Sequence, residues 1–140
     1  MSYSAIDLSK YIVNKCVNDH CPISNLQLQK ILYFIQKEYL KKKGKKAFDD
    51  PIEAWQFGPV VPNSYYQFYG SGAMKIIRNF DIDIEECDKE ICDPIIEEKR
   101  AMSTWKLVEE SHKPGGAWDK TFAGGKGNHC RISEELIKAE

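Results

Sequence analysis

Cysteine and histidine side chains are the residue types most able to do chemistry in this chain of 140 residues, which contains five cysteines and three histidines. Structural zinc sites usually pair their ligands as Cys-x2–4-Cys or His-x3–5-His. Cys87 and Cys92 lie at the edge of that spacing, whereas Cys16 and His20 combine the two residue types. Because the number of cysteines is odd and the N-terminus shows no secretory signal, we expect reduced thiols, no metal site and no cofactor.

Nucleophilic catalysis is not indicated by the remaining motifs. No Gly-x-Ser-x-Gly turn is present, and His129 directly precedes Cys130, where a base and a nucleophile rarely face each other. The glycines in residues 124–127 are typical of a flexible loop, since the Walker ending of a phosphate-binding loop is absent. We therefore expect a protein that is not an enzyme. The alternative, a thiol enzyme, would need a reactive cysteine of low pKa.

Charged residues are balanced over the whole chain but not along it. The net charge is −1, with +3 over residues 1–70 and −4 over residues 71–140. Five lysines lie within residues 41–46, and nine acidic residues lie within residues 81–98, where Lys89 is the one basic residue. Lysines suit the C-terminus of a helix, whose carbonyl groups attract positive charge. Nucleic-acid binding by the lysines is the alternative, which the near-zero net charge disfavours.

Aromatic residues are unusually dense in residues 55–69. A small domain cannot bury all of them, and exposed tyrosine and tryptophan side chains are typical anchors of protein–protein interfaces. The stretch Gly-Pro-Val-Val-Pro at residues 58–62 predicts a rigid loop that would preorganise them and lower the entropic cost of binding. The sequence therefore favours a protein-binding function. The six aromatic residues are Trp55, Phe57, Tyr65, Tyr66, Phe68 and Tyr69.

Two helices must position this aromatic stretch. Ser4 is the expected N-cap of the first helix. Ser24 and Gln27 form a capping box for the second helix, which we expect to end near Gly44. Hydrophobic residues make up 42% of the chain, which suffices for a core. We predict a mainly α fold: a single compact helical domain over residues 1–140 with a small β element.

Two short strands are predicted from alternating patterns. In residues 52–57, Ile52, Ala54 and Gln56 alternate with Glu53, Trp55 and Phe57, which predicts a short strand. We expect Gly58 and the proline after it to end that strand. Residues 80–85 alternate strictly between apolar and acidic side chains, which predicts a strand with one solvent-facing side.

A further helix is predicted to begin at Asp93, which would act as an N-cap followed by Pro94 at the first helical position. Its buried face would include Trp105. No stretch of the sequence is long and apolar enough to span a membrane, so we expect a cytoplasmic protein with no membrane partner.

Two long motifs resemble those of a known family, the Panacea domain family, which includes SocA-like antitoxins and phage-associated GepA-like proteins. Residues 23–36, which contain Leu-Gln-Lys-Ile-Leu-Tyr-Phe-Ile-Gln, are similar to the family's opening motif, Leu-Gln-Lys-Leu-Leu-Tyr-Tyr-x-Gln. Residues 50–62, with Tyr65 following, resemble its second motif. Residues 73–92 match no family pattern, so we expect a variable insertion there within one Panacea-like domain.

The resemblance implies a mainly α domain without catalytic activity. Family members are antitoxins that neutralise a cognate toxin by direct binding, and SocA-like members also act as adaptors that hand the toxin to a protease complex. Many occur in prophages and mobile elements. The alternative of a different class is a phage-encoded nucleic-acid-binding regulator that uses the lysines of residues 41–46.

The matched motifs supply candidate partner-binding residues, carried over from the family position by position. They either form a binding surface or fix the fold by packing the strand and loop on the second helix, and the sequence leaves both possibilities open. The candidates are Tyr33, Gln36, Trp55, Phe57, Gly58, Pro59, Val60, Pro62 and Tyr65.

Overall fold

Helix α2 is the central element of the computed structural model, which describes residues 3–140. The chain forms seven α-helices and three short strands within those residues, which confirms the prediction of a mainly α fold with a small β element. Helix α2 packs against five other helices and strand β2. The elements are α1 (Ala5–Asn18), α2 (Asn25–Lys43), β1 (Glu53–Trp55), β2 (Gly58–Val60), α3 (Pro62–Gln67), α4 (Glu86–Arg100), α5 (Thr104–Ser111), α6 (Ala117–Phe122), β3 (Cys130–Arg131) and α7 (Glu134–Ala139).

Both N-terminal helices begin at the predicted N-caps, and α2 ends at the predicted glycine. The Ser4 hydroxyl accepts a hydrogen bond from the backbone N–H of Asp7 and caps α1. Ser24 and Gln27 form the reciprocal capping box of α2. Gly44 ends α2 with φ +66°, a left-handed conformation that glycine adopts without steric cost.

The sheet is antiparallel, with strand order β2-β1-β3. Trp55 pairs with Gly58 across a two-residue turn, so Gly58 begins strand β2 instead of ending the preceding strand. That part of the prediction was wrong, and the stretch expected to be a rigid loop is a strand followed directly by α3. Gly58 has φ +109°, and a Cβ there would lie 2.6 Å from Ser111 Oγ, so the turn requires glycine.

The predicted strand at residues 80–85 is absent, because no neighbouring strand pairs with this segment in the part of the chain that the structure describes. Its backbone instead bonds to side chains of the N-terminal region. The Phe80 N–H donates to Asn14 Oδ1 at 2.7 Å, and Asn14 Nδ2 donates to the Phe80 carbonyl at 2.6 Å. The Glu85 N–H donates to the Tyr3 hydroxyl. Alternating side chains match a strand locally, but strand formation needs a partner.

The prediction that Asp93 and Pro94 begin a helix was also wrong. The first helical residue of α4 is Glu86, eight residues before the predicted one, and Pro94 lies on the exposed face of the helix. The Asp93 carboxylate does not cap the helix, because it accepts a hydrogen bond from the Tyr11 hydroxyl at 2.6 Å. A solvent-facing carbonyl one turn before a proline can bond to water, which lowers the cost of the missing N–H.

Trp105 was predicted to be buried, and this too was wrong, since 65% of its surface is exposed. The chain breaks between α4 and α5, where Ser103 caps the new helix by accepting from the Lys106 N–H. Helix α5 buries Leu107, which was not expected, and Val108, which was expected to be buried, whereas Trp105 lies on its exposed side.

A continuous hydrophobic core joins elements from α1 to α7. Helix α2 supplies its centre, with every residue from Gln27 to Gln36 buried, including three polar residues and Lys30. A helix buried on all sides must bond its polar side chains internally. No helix in residues 3–140 is both long enough and apolar enough to cross a membrane.

Candidate functional site

Exposed and half-buried aromatic side chains of the β1–β2 hairpin, α3 and α5 gather on one surface. The Trp55 ring stacks on His129 with centroids 4.5 Å apart and meets the edge of Tyr65 at 5.0 Å. Phe57, 45% exposed, contacts Trp105 edge to face at 5.8 Å. We call this surface the aromatic patch; it comprises Trp55, Phe57, Tyr65, Tyr66, Tyr69, Trp105 and His129.

A pocket of about 260 Å³ opens in the aromatic patch. Its walls contain no lysine, arginine, aspartate or glutamate, and Gln56 and Asn128 are the polar side chains beside His129. The volume lies just below the range of about 300–1,000 Å³ that is typical of small-molecule sites. An uncharged pocket of this size suits a bulky side chain of another protein. The lining residues are Leu26, Trp55, Gln56, Phe57, Val60, Tyr65, Asn128 and His129.

Three interior side chains form hydrogen bonds with the backbone of the hairpin, on the side opposite the pocket. Trp118 Nε1 donates to the Trp55 carbonyl at 2.7 Å, and Lys30 Nζ donates to the Pro59 carbonyl at 2.9 Å. The His112 ring, stacked on Trp118 with centroids 3.7 Å apart, hydrogen-bonds the backbone of Phe57. Alternate residues of the hairpin are therefore fixed by α2, by the end of α5 and by α6.

A second set of buried hydrogen bonds fixes the start of α3. The Gln29 side chain accepts from the Val61 N–H at 3.0 Å and donates to Ser64 Oγ at 3.1 Å. Asn25 Nδ2 donates to the Tyr65 carbonyl at 3.0 Å. Because these groups are buried, losing a partner would leave a polar atom without a hydrogen bond, and the arrangement is correspondingly rigid.

Burial lowers the pKa of Lys30 to about 7, since no carboxylate pairs with it within residues 3–140. Burial, and after it the charge of Lys30, lowers the pKa of His112. The His112 Nε2 atom is buried without a hydrogen-bond partner among the described residues. The interior beneath the aromatic patch therefore disfavours positive charge.

The predicted site residues fall into three groups in the structure. Four line the pocket: Trp55, Phe57, Val60 and Tyr65. Three shape the backbone that carries the pocket: Gly58, Pro59 and Pro62. The other two, Tyr33 and Gln36, lie inside the core and away from the pocket.

Gln36 acts at the opposite end of α2 from the aromatic patch. Its Oε1 accepts from the Ala47 N–H at 2.8 Å, and its Nε2 donates to the Phe48 carbonyl at 2.8 Å. The Tyr33 hydroxyl is buried without a hydrogen-bond partner among the described residues. Burial, and after it the nearby Glu140 carboxylate, raises the pKa of Tyr33. These two candidates support the fold at positions that a partner protein cannot reach directly.

The cysteines of the suggested Cys-x4-Cys pair do not face each other. Cys92 is buried in the core, whereas Cys87 is exposed beside Glu85 and Asp88. Asp88 accepts hydrogen bonds from the hydroxyls of Tyr3 at 2.7 Å and Tyr39 at 2.5 Å, which ties α4 to the rest of the core. The acidic stretch is therefore partly structural, since Asp88 and Asp93 both bond to tyrosines.

Comparison with known proteins identifies the family. The family described as "Antitoxin SocA-like, Panacea domain" matches residues 28–119 of the chain. The chain belongs to this family.

A curated relative supports the same assignment over nearly the whole chain. Antitoxin SocA of Caulobacter vibrioides (strain NA1000 / CB15N) is 33% identical over 154 residues, which cover 98% of this chain and 81% of the relative. No solved structure matches the chain. Membership of the SocA-like family supports an antitoxin role and gives no indication of catalysis.

The part of the chain that matches the Panacea domain contains most of the aromatic patch but not all of its pocket. Residues 28–119 include the hairpin, α3 and α5, whereas Leu26, Asn128 and His129 lie outside the match. His129 reaches Trp55 because its N–H donates to the Ala54 carbonyl at 2.7 Å, beside strand β3. No local pattern near residue 129 indicates this contact, so sequence reasoning missed it.

The interior residues that hold the hairpin were also missed. A signal was present, since Gln29 and Lys30 lie between the core residues Leu28 and Ile31 in a helix with apolar residues on nearly every side. Polar residues inside such a helix indicate internal hydrogen bonds. The carbonyls they would hold could not be identified, because those carbonyls lie on other elements.

Proposed function

We propose that this chain is a non-enzymatic antitoxin that neutralises a cognate toxin protein by direct binding through the aromatic patch. The observation that supports this most is the uncharged pocket on a hairpin whose backbone is bonded from the interior. Rigid aromatic side chains around such a pocket have the character of binding hot spots, because little conformational entropy is lost on association. We place this encounter in the cytoplasm.

Direct occlusion and delivery to a protease are compatible with one binding surface. A separate charged groove of about 670 Å³ lies between α2, α4 and α5, beside Phe34 and Lys99, and shares no lining residue with the pocket of the aromatic patch. We propose, on the family resemblance, that the chain also serves as an adaptor to a protease complex and is encoded on a phage or mobile element. Toxin that disappears faster when the antitoxin is present, and only in cells with the protease, would support the adaptor role.

The test of the proposed function is co-expression with the product of the adjacent gene. We expect that product to inhibit growth alone, and this chain to relieve the inhibition and to copurify with it. A harmless neighbour, or one that does not bind, would contradict the antitoxin function for this protein.

Substitutions in the aromatic patch then test where the toxin binds. Phe57→Ala removes an exposed ring of the pocket, and we expect toxin binding to weaken about 30-fold or more while thermal stability holds. Ile77→Ala is the matched control, because Ile77 is 73% exposed and does not line the pocket. Equal binding by both variants would exclude the aromatic patch as the interface.

Trp55→Ala and Tyr65→Ala separate anchoring from packing, since both rings are partly buried. If toxin binding falls while the melting temperature holds, the residue is an anchor of the interface. If both fall together, the residue mainly packs the hairpin on α3.

A further inference from the structure

We propose that Lys30 is a positioning residue for the aromatic patch. From the interior, Lys30 holds the hairpin in the conformation that binds the toxin, and its own burial lowers the stability of the fold. Only the expected effect of Lys30 on toxin binding rests on the proposed function. The effect of Lys30 on the hairpin is a property of the free protein and can be measured without a toxin.

The placement of Lys30 is unusual for a lysine. None of its surface is exposed, and its Nζ makes one hydrogen bond, to the Pro59 carbonyl at 2.9 Å. It forms no ion pair with any carboxylate within residues 3–140. Lysines are rarely buried completely unless a partner compensates the charge.

The hairpin lies directly against this amine. A Cβ on Gly58 would lie 3.1 Å from Lys30 Nζ, so Gly58 and Pro59 both rest on the end of the lysine side chain. On the other side of the same residues, Phe57 and Val60 line the pocket. Loss of the hydrogen bond from Lys30 Nζ would therefore shift the pocket residues, because only the hairpin backbone lies between them and the amine.

Stability alone does not account for a lysine at this position. An apolar side chain of similar length, such as methionine, would fill the same space without the desolvation of an amine. Burial already lowers the pKa of Lys30 to about 7, which agrees with an environment that disfavours the charged form. What methionine cannot do is donate a hydrogen bond to the Pro59 carbonyl, and that bond fixes the hairpin.

The neighbouring contacts leave Lys30 a distinct task. Trp118 holds the Trp55 carbonyl and Gln29 holds the Val61 N–H, so both ends of the hairpin are bonded by other residues. Lys30 holds the returning strand between them. Without it, we expect β2 to move while the core around α2 stays intact.

The experiment compares wild-type protein with Lys30→Met and with a control, Lys37→Met, on the same helix. Lys37 pairs with the buried Glu140 carboxylate at 2.9 Å and does not touch the hairpin. Amide hydrogen exchange over residues 55–61, melting temperature and affinity for the toxin are measured for each protein.

For Lys30→Met we expect an unchanged or higher melting temperature, because removing the desolvated amine offsets the lost hydrogen bond to the Pro59 carbonyl. We also expect at least tenfold faster amide exchange in the hairpin and at least tenfold weaker toxin binding. For Lys37→Met we expect the reverse: a lower melting temperature, because the buried Glu140 carboxylate loses its ion-pair partner, with hairpin exchange and toxin affinity unchanged. A residue that merely supported the fold would not weaken binding while stability held.

Several results would overturn the inference. They are unchanged hairpin exchange in Lys30→Met, unchanged toxin affinity, or a variant that melts lower or fails to fold, since the proposal requires that methionine be tolerated. If the wild-type protein binds no toxin, the proposed function fails, and the exchange measurement still decides whether Lys30 holds the hairpin.

Discussion

The two ends of helix α2 carry surfaces of opposite character. Near Asn25 the helix supports the aromatic patch, which is uncharged at its pocket and bonded from below by buried side chains. At the other end, about 27 Å away at 1.5 Å per residue, Lys42 pairs with Glu38, and Lys46 with Glu134, largely at the surface.

This difference shows that one helix can support a rigid, uncharged surface at one end and a solvated, charged surface at the other. A surface fixed by buried hydrogen bonds loses little entropy when it binds, whereas exposed ion pairs contribute little and are screened by salt. We therefore propose that the aromatic patch provides specific recognition and that the lysine end contributes, at most, long-range steering of a charged partner.

The largest expected change in the free energy of unfolding comes from replacing a buried glutamine of α2, either on the side of the aromatic patch or toward the lysine end. Gln29→Leu leaves the Val61 N–H without its acceptor and removes one of the two hydrogen bonds of Ser64 Oγ. Gln36→Leu leaves the Ala47 N–H and the Phe48 carbonyl without their side-chain partner. We expect each change to lower the free energy of unfolding by about 3 kcal/mol, measured by urea titration, because buried polar groups lose their partners.

Toxin binding distinguishes these two variants. Measured on the folded fraction, binding should weaken for Gln29→Leu and stay unchanged for Gln36→Leu, since only the first lies under the aromatic patch. Weaker binding in both would show that the two ends are not functionally separate.

A smaller effect is the pH dependence of stability caused by Lys30, which lies beneath the aromatic patch. Lys30 has a pKa of about 7 in the folded protein and 10.5 in an ordinary setting. Between these values the unfolded chain binds more protons, so stability rises with pH and is lost as pH falls toward 7, by up to about 1.4 kcal/mol per pH unit.

The check is the free energy of unfolding at pH 7 and at about pH 8.5 in wild type and in Lys30→Met, because cysteines also ionise in the unfolded chain over this range and contribute equally to both proteins. We expect the wild type to gain up to about 2 kcal/mol more than Lys30→Met between the two pH values. A rise of the same size in the variant would assign the pH dependence to other groups.

The smallest effect is expected at the lysine end. Replacing Lys41, Lys43 and Lys45 by glutamine should change the free energy of unfolding by less than about 0.5 kcal/mol, because all three are exposed and form no ion pair among the described residues. Toxin affinity should hold, with any change confined to the association rate at low salt.

The same triple variant tests the nucleic-acid alternative. DNA binding by wild-type protein that weakens steeply with salt, and is lost in the variant, would favour a nucleic-acid-binding regulator over an antitoxin. No DNA binding at low salt, or unchanged affinity in the variant, would remove that alternative.

Much of α1 and α2 could be predicted from the sequence, because caps and apolar periodicity act between residues only a few positions apart. Ser4, Ser24 with Gln27, and Gly44 each mark a helix end that the structure confirms. The aromatic residues of the hairpin and α3 were also identifiable as candidates from their density and motif.

Other features depended on contacts between distant segments. The alternation in residues 80–85 matched a strand, yet Asn14 and Tyr3 bond to that backbone and no strand does. Asp93 has the residue type of an N-cap, yet it accepts a hydrogen bond from Tyr11. Local pattern is insufficient where a polar group has a long-range partner available.

The sequence by itself determined which residues are aromatic, where the first two helices begin and end, and which family motifs are present. Only the tertiary structure decided that Trp105 and His129 join the aromatic patch, that Tyr33 and Gln36 lie in the core, and that Lys30 reaches Pro59. The physical reason is that helix caps are satisfied within one turn of chain, whereas exposure and buried hydrogen bonds depend on which distant elements pack together.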